Sequence, residues 1–237
     1  MVVVLKRKVV RPYQGSWETL KLATAKPELL FRNIEDVVGI WHENGTLFVK
    51  IKGKRLFLSS ELKFKLQRVE NKPSVLLILS GSEGTLVLTI TIKKDRISCE
   101  GSWNGNPRVL KETLGVIVEG VFNRLLEIVG EINSVSQVII QTENEKVRIE
   151  DLTLKYLPTV LLYAYLLCPS SKCGVKLEGA LDELFVTIGE GKIENVEYSS
   201  PSTTFTTRLE KDVLFLVPED FEGMEVGGMY TLEITPL

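Results

Sequence analysis

The only histidine in the chain, His42, stands beside the turn-like Glu43-Asn44-Gly45, with no serine or cysteine nucleophile near it in sequence. The commonest general base is therefore present once, without the partner that nucleophilic catalysis needs. Acidic residues cluster at Asp182-Glu183 and in Glu219-Asp220-Phe221-Glu222, but both runs fall between strand-like segments and read as solvated turns. Gly81-Ser82-Glu83-Gly84 is too short to cradle a phosphate and lacks the lysine and following helix of such loops. The three cysteines are Cys99, Cys168 and Cys173. The Cys-x4-Cys pair around Pro169 lacks the further Cys or His that would complete a zinc site, so buried thiols or one disulfide are expected ahead of a metal. These residue types nominate no catalytic residue, no metal ligand and no cofactor.

Charge is more informative. The net charge of -2 conceals a split: residues 1–134 hold 21 Lys/Arg against 14 Asp/Glu, net +7, and residues 135–237 hold 8 against 17, net -9. Opposite fields on one chain predict intramolecular docking, screened by salt beyond ~8–10 Å. A basic surface for acidic headgroups or nucleic acid, and a solvated distribution with no partner, are the alternatives. For nucleic acid, Lys50, Lys52, Lys54, Arg55, Lys63, Lys65 and Arg68 sit mostly at alternating strand positions with no row of aromatics between them. That pattern reads as the outward face of a sheet, and no nucleic-acid partner is expected. Arg7 is in phase with Val3, Leu5 and Val9, which turns it inward. A buried guanidinium there needs an acidic partner or an anionic ligand group, unless the strand has already reached solvent or a bulge resets the phase.

The elements that position these residues follow from periodicity. Composition is that of an ordinary globular chain, 44% apolar and 25% charged, and no run reaches the ~18 apolar residues of a membrane helix. The N-terminal run 1–8 has apolar residues before charge, the reverse of a signal peptide, so a cytoplasmic protein with no transmembrane segment is expected. Residues 2–10 read as a strand. Ser16 offers an N-cap to a short helix carrying Trp17, Leu20 and Thr24, and Pro27 starts a second over 28–33. From Val37 the period becomes two: strands over 37–42, 47–51, 56–69, 74–80, 85–92 and 97–103, with turns at 43–45, 53–54, 71–73, 81–84 and 94–95, read as an antiparallel meander. Asn106-Pro107 then opens one helix of about 26 residues, or ~39 Å, with Leu110, Leu114, Ile117, Val118, Val121, Leu125, Ile128 and Ile132 at helical spacing. Gly115, Gly120 and Gly130 each cost such a helix ~1 kcal/mol, so backbone packs closely there or room is left beside it. Near Asn133-Ser134 the pattern resets. The second region shows strand-like pieces at 138–140, 147–149, 175–177, 184–188, 193–198, 203–207, 213–217 and 230–234, and a buried helix over 157–167 between Pro158 and Cys168-Pro169.

The order strand, two short helices, six strands, long helix resembles the START-related helix-grip (SRPBCC) superfamily over residues 1–134. Ser16-Trp17-Glu18-Thr19-Leu20 and Lys26-Pro27-Glu28-Leu29 are similar to that family's helix and its aspartate-proline-glutamate break, with Lys26 where Asp is common. The carbon monoxide dehydrogenase G-like type and a related domain of thermoacidophilic archaea are nearest within it. Lys, Glu and Val richness with few Gln is compatible with a thermophilic source. The resemblance implies an α+β fold for 1–134, a seven-stranded antiparallel sheet gripping the long helix. The reset near Asn133-Ser134, the strand-like pieces beyond it and the charge split make 135–237 a second, smaller acidic α+β domain, of which the resemblance says nothing. The resemblance also implies an apolar cavity between sheet and helix that binds a hydrophobic small molecule or lipid; some relatives are enzymes, and it is the lack of a catalytic motif that makes non-catalytic binding the expectation. Phe64, Leu77, Leu88 and Trp103 on the strands and Leu114, Val118 and Val121 on the helix are the expected ligand-binding residues, because inward phase brings them together. The alternative is a filled core, with the acidic second domain acting as a protein-interaction or adaptor module.

Overall fold

The computed structural model describes residues 4–55, 58–136, 138–141 and 147–237. Val3 and the expected strand start at 56–57 lie outside the described residues. The chain divides into two compact units, Met1–Val129 and Gly130–Leu237.

The first unit runs β1 (Val4–Pro12), α1 (Trp17–Ala23), α2 (Pro27–Leu30), β2 (Val37–Glu43), β3 (Thr46–Arg55), β4 (Leu58–Asn71), β5 (Ser74–Gly81), β6 (Gly84–Lys93), β7 (Arg96–Gly105), α3 (Pro107–Leu110) and α4 (Thr113–Val135), of which the residues from Gly130 on belong to the second unit. Its antiparallel sheet has the order β1-β7-β6-β5-β4-β3-β2. Short connections make β2 to β7 neighbours in sequence and in space; at Asn44-Gly45 both residues take the positive φ of a two-residue hairpin turn, 51° and 71°. Strand β1 pairs with β7 in an unbroken register, Val4↔Asn104 to Pro12↔Arg96. Alternation decides the faces: Val75, Leu77, Leu79, Leu86, Leu88 and Ile90 are fully buried, while the residues between them are half-buried or exposed. Ser16 caps α1 by accepting from the Thr19 amide at 3.1 Å.

Two expectations fail here for related reasons. Gly53 does not turn the chain; β3 continues through Arg55 and pairs Gly53 with Ser60. A Cβ on Gly53 would lie 2.8 Å from Leu62 Cδ1 and 3.1 Å from Val109 Cγ1, so the glycine admits α3 against the strand. The periodicity also predicts one helix over 107–132, yet the structure has a single turn, α3, before α4 begins at Thr113. Val109 and Leu110 bury themselves over β3, and the Thr113 hydroxyl donates to the Lys52 carbonyl at 3.2 Å. Docking of that turn on the strand overrides the helical repeat.

The second unit contains β8 (Ile139–Gln141), β9 (Val147–Thr153), α5 (Leu157–Leu167), β10 (Lys172–Glu178), β11 (Glu183–Gly189), β12 (Lys192–Ser199), β13 (Thr204–Thr207), β14 (Lys211–Asp212) and β15 (Gly227–Pro236). The sheet order is β13-β12-β11-β10-β15-β9-β8, with β14 beside β12. Helix α5 has the predicted limits and buries Leu157, Val160, Leu161, Ala164 and Tyr165. Cys168 and Cys173 form a disulfide that ties the end of α5 to β10. Residues 213–217 are not the expected strand: Val213–Phe215 is a 3-10 turn, because Asp212 accepts from the Leu214 amide at 3.0 Å and Asp220 from the Val217 amide at 2.8 Å. These aspartates take up amides that a ladder would need. The buried Tyr230 hydroxyl donates to Asp182 at 2.5 Å, and burial together with this bond pushes its pKa up.

Candidate functional site

The concave face of the first sheet meets α4 through the residues that alternation turns inward. Gly101 on β7 lets α4 come close to the strand: a Cβ there would collide with Val118 Cγ2 and lie 3.2 and 3.3 Å from Leu114 Cδ1 and Leu88 Cδ2. Leu88 pairs across the sheet with Leu77. Phe64 and Trp103 meet edge to face with centroids 6.0 Å apart, and the Trp103 indole N–H donates to the Asn106 carbonyl at 3.0 Å. Leu114, Val118 and Val121 share one stripe of α4. All seven expected positions are buried, Leu114 at 2% exposure and the rest at 0%. The contacts around Gly101 and the strand register join Leu77, Leu88, Leu114 and Val118 into one group. Phe64 and Trp103 form a pair, while Val121 joins through its helix alone.

The glycines of α4 behave unlike one another. A Cβ on Gly120 would meet three Ile34 atoms at 2.9–3.0 Å, so close packing explains that residue and no volume is missing beside it. A Cβ on Gly115 would meet, among the described residues outside its own turn of helix, Arg7 Nε at 3.8 Å and nothing closer. Arg7 stands opposite Gly101 in register, hence on the concave side, but on the edge strand it is exposed. The strand reaches solvent there, and among the described residues no carboxylate pairs with Arg7.

Arg68 is the correction with the greatest bearing on the interior. The basic pattern assigns it to the outer face, yet it pairs with Leu77 and points inward, its side chain 18% exposed. Its guanidinium donates to Thr24 Oγ1 at 3.0 and 3.3 Å and to the Lys21 carbonyl at 3.0 Å, and it pairs with Glu70 at 2.7 Å. It thereby clamps the C-terminal end of α1, where the helix dipole favours a cation. Parity with Phe64 and Leu66 could have revealed this, since residues two apart share a face. Lys26 and Glu28 at the start of α2 are also buried, at 7% and 4% exposure, and burial lowers the Lys26 pKa while Glu28 raises it. Cys99 lies on the inner face and is fully buried, which pushes its thiol up to about 12.

A long helix held in the concavity of a seven-stranded antiparallel sheet, with two short helices between the first two strands, defines this architecture. The first unit is a helix-grip domain. No protein-family model and no curated protein sequence matches the chain. Among solved structures, a protein of Thermus thermophilus aligns at 8% identity over 52% of this chain and 97% of that one, with a TM-score of 0.37. A hypothetical protein of Sulfolobus tokodaii aligns at 15% identity over 56% and 93%, with a TM-score of 0.33. The di-domain ARO/CYC StfQ of the steffimycin biosynthetic pathway aligns at 9% identity over 98% and 85%, again at 0.33. Scores this low leave the fold assignment resting on the grip's own strand order and helix.

The outer face of the grip brings together what the sequence keeps apart. Trp41 and Phe48 stack with centroids 5.7 Å apart, and Lys63 Nζ sits 4.0 Å from the Phe48 centroid while pairing with Glu43 at 2.8 Å. Hydrogen bonding to Lys63 holds the Glu43 carboxyl below its ordinary value. Lys50 pairs with Glu61 at 2.9 Å. Among the described residues no helix is long and apolar enough to cross a membrane, and no group of three or more His, Cys, Asp or Glu could hold a metal ion.

Proposed function

We propose that the helix-grip domain holds a hydrophobic small molecule or lipid between its sheet and α4, without covalent chemistry. The observation that carries this reading is the convergence of large apolar side chains, Phe64, Leu77, Leu88 and Trp103 from four strands and Leu114, Val118 and Val121 from α4, beside the opening at Gly115. A binding role in place of a catalytic one is supported by the chemistry of the interior. Its thiol, Cys99, is protonated at neutral pH because burial raises its pKa, and Arg68 is committed to α1.

The test is uptake by the purified chain of hexadecanoate and of 1-anilinonaphthalene-8-sulfonate, with native mass spectrometry of whatever co-purifies, compared with Val118→Trp. Val118 packs directly against Gly101, so an indole there would compete with a ligand for the interface between sheet and helix. Uptake by the parent, abolished in a variant that keeps its stability, is the expected result. If the parent binds neither probe, carries no co-purifying molecule, and the variant loses ~1–3 kcal/mol through overpacking, the interior is a filled core and the reading is wrong.

A further inference from the structure

A crevice of about 490 Å³ opens in the second unit, within the range of small-molecule sites. Periodicity gives no sign of it, because its walls come from three segments far apart in the chain. Lys155 and Thr159 recur at helical spacing with Leu162 on one face of the α5 region. The 3-10 turn held by Asp212 brings Val213 and, just beyond it, Leu216 to a second wall. The last turns of α4 supply Glu131.

The floor is apolar and buried: Leu162 is 3% exposed, Val213 2% and Leu216 9%. Two opposite charges line the same crevice without pairing. Glu131 accepts a hydrogen bond from the Thr159 hydroxyl through Oε2 at 2.7 Å, which fixes the carboxylate and leaves Oε1 unengaged among the described residues. Lys155 Nζ lies 5.5 Å from the Tyr156 ring centroid, and among the described residues no carboxylate pairs with it. In the first turn of α5 the Leu157 amide already donates to the Leu154 carbonyl at 3.3 Å and Pro158 has no N–H, so the cation of the crevice is Lys155 itself. One fixed anion, one cation and an apolar floor between walls form a complementary set. A simple anion would meet the repulsion of a region carrying net charge -9, whereas a molecule bearing both charges would not.

We propose that this crevice binds a zwitterion of the amino-acid or short-peptide class. Its ammonium sits on Glu131, its carboxylate on Lys155, and its apolar side chain against Leu162, Val213 and Leu216. This site is independent of the grip and stands or falls separately from it. The test is an amide-resonance titration of the full chain with L-phenylalanine and L-leucyl-L-phenylalanine, using phenethylamine and 3-phenylpropionate as comparators that each carry one of the two charges. Saturable shifts confined to residues 155–162 and 213–216, stronger binding of the zwitterions than of either comparator, and ~10- to 100-fold weakening in both Glu131→Gln and Lys155→Gln are expected. Both substitutions are at exposed positions, so folding is retained. No saturable shift with either zwitterion, equal binding of a comparator, shifts elsewhere in the chain, or affinity unchanged in the two variants would each overturn the proposal.

Discussion

Gly115→Ala and Gly120→Ala add the same methyl to the same helix and are expected to act on stability very differently. Replacing an interior glycine by alanine stabilises a helix by ~0.8–1 kcal/mol, through intrinsic propensity and the reduced freedom of the unfolded chain. At Gly115 no described residue opposes that gain, because outside its own turn of helix the new Cβ would have only Arg7 Nε near it, at an ordinary 3.8 Å. At Gly120 the Cβ would press on Ile34 Cγ1, Cδ1 and Cγ2 at 2.9–3.0 Å. Both branches of a β-branched side chain are involved, so no rotamer change withdraws them together, and Ile34 is itself buried at 6% exposure. Overpacking of this kind costs ~1–3 kcal/mol, and since the propensity gain is common to both variants, their stabilities should differ by that amount, with Gly115→Ala the more stable. Urea denaturation followed by tryptophan fluorescence is the appropriate assay, because Trp17, Trp41 and Trp103 all lie in the first unit. Equal stabilisation by the two substitutions would refute the placement of Ile34 against α4, and with it the account of why that helix tolerates a glycine at 120.

Three further outcomes are expected. The Cys99 thiol has its pKa raised from 9.0 to about 12 by burial, so the stability it contributes is complete below pH 9 and declines as pH rises toward 12. By pH 10.5 the loss amounts to about 2 kcal/mol, and Cys99→Ala should lack that alkaline slope; identical slopes in parent and variant would show that the thiol is not buried. Reducing the Cys168–Cys173 disulfide should destabilise the second unit by about 2 kcal/mol, given the short loop it closes. The effect should appear in circular dichroism and leave the tryptophan transition in place; a shift of both transitions together would mean that the bond does more than staple α5 to β10. Finally, the charges of +7 on residues 1–134 and -9 on 135–237 predict a solution scattering profile that expands as salt is raised, and a profile independent of ionic strength would remove the expected attraction.

Much of the grip was legible because its signals are local. Alternation located β2 to β7, Asn44-Gly45 and Gly81 to Gly84 marked hairpins, and Pro158 and Pro169 bracketed α5, since turn chemistry and side-chain period act within a few residues. The same alternation turned Phe64, Leu77, Leu88 and Trp103 inward and stacked Leu114, Val118 and Val121 on one helix face. Strict parity also carried the inward direction of Arg68, and only the habit of grouping basic residues on one surface hid it. Other features required contacts between distant segments. The end of the predicted helix at 107–110 depends on Val109 meeting Gly53, and the cause of Gly120 is Ile34, placed there by the chain's path from α2 into β2. The turn at 213–215 depends on aspartates competing for amides, and the crevice on the meeting of Glu131, Lys155 and Val213 from separate elements. Periodicity describes which way a side chain faces along its own element. What it faces is decided by chain closure and packing, where the energies of burial and hydrogen bonding are set by neighbours that no local window contains.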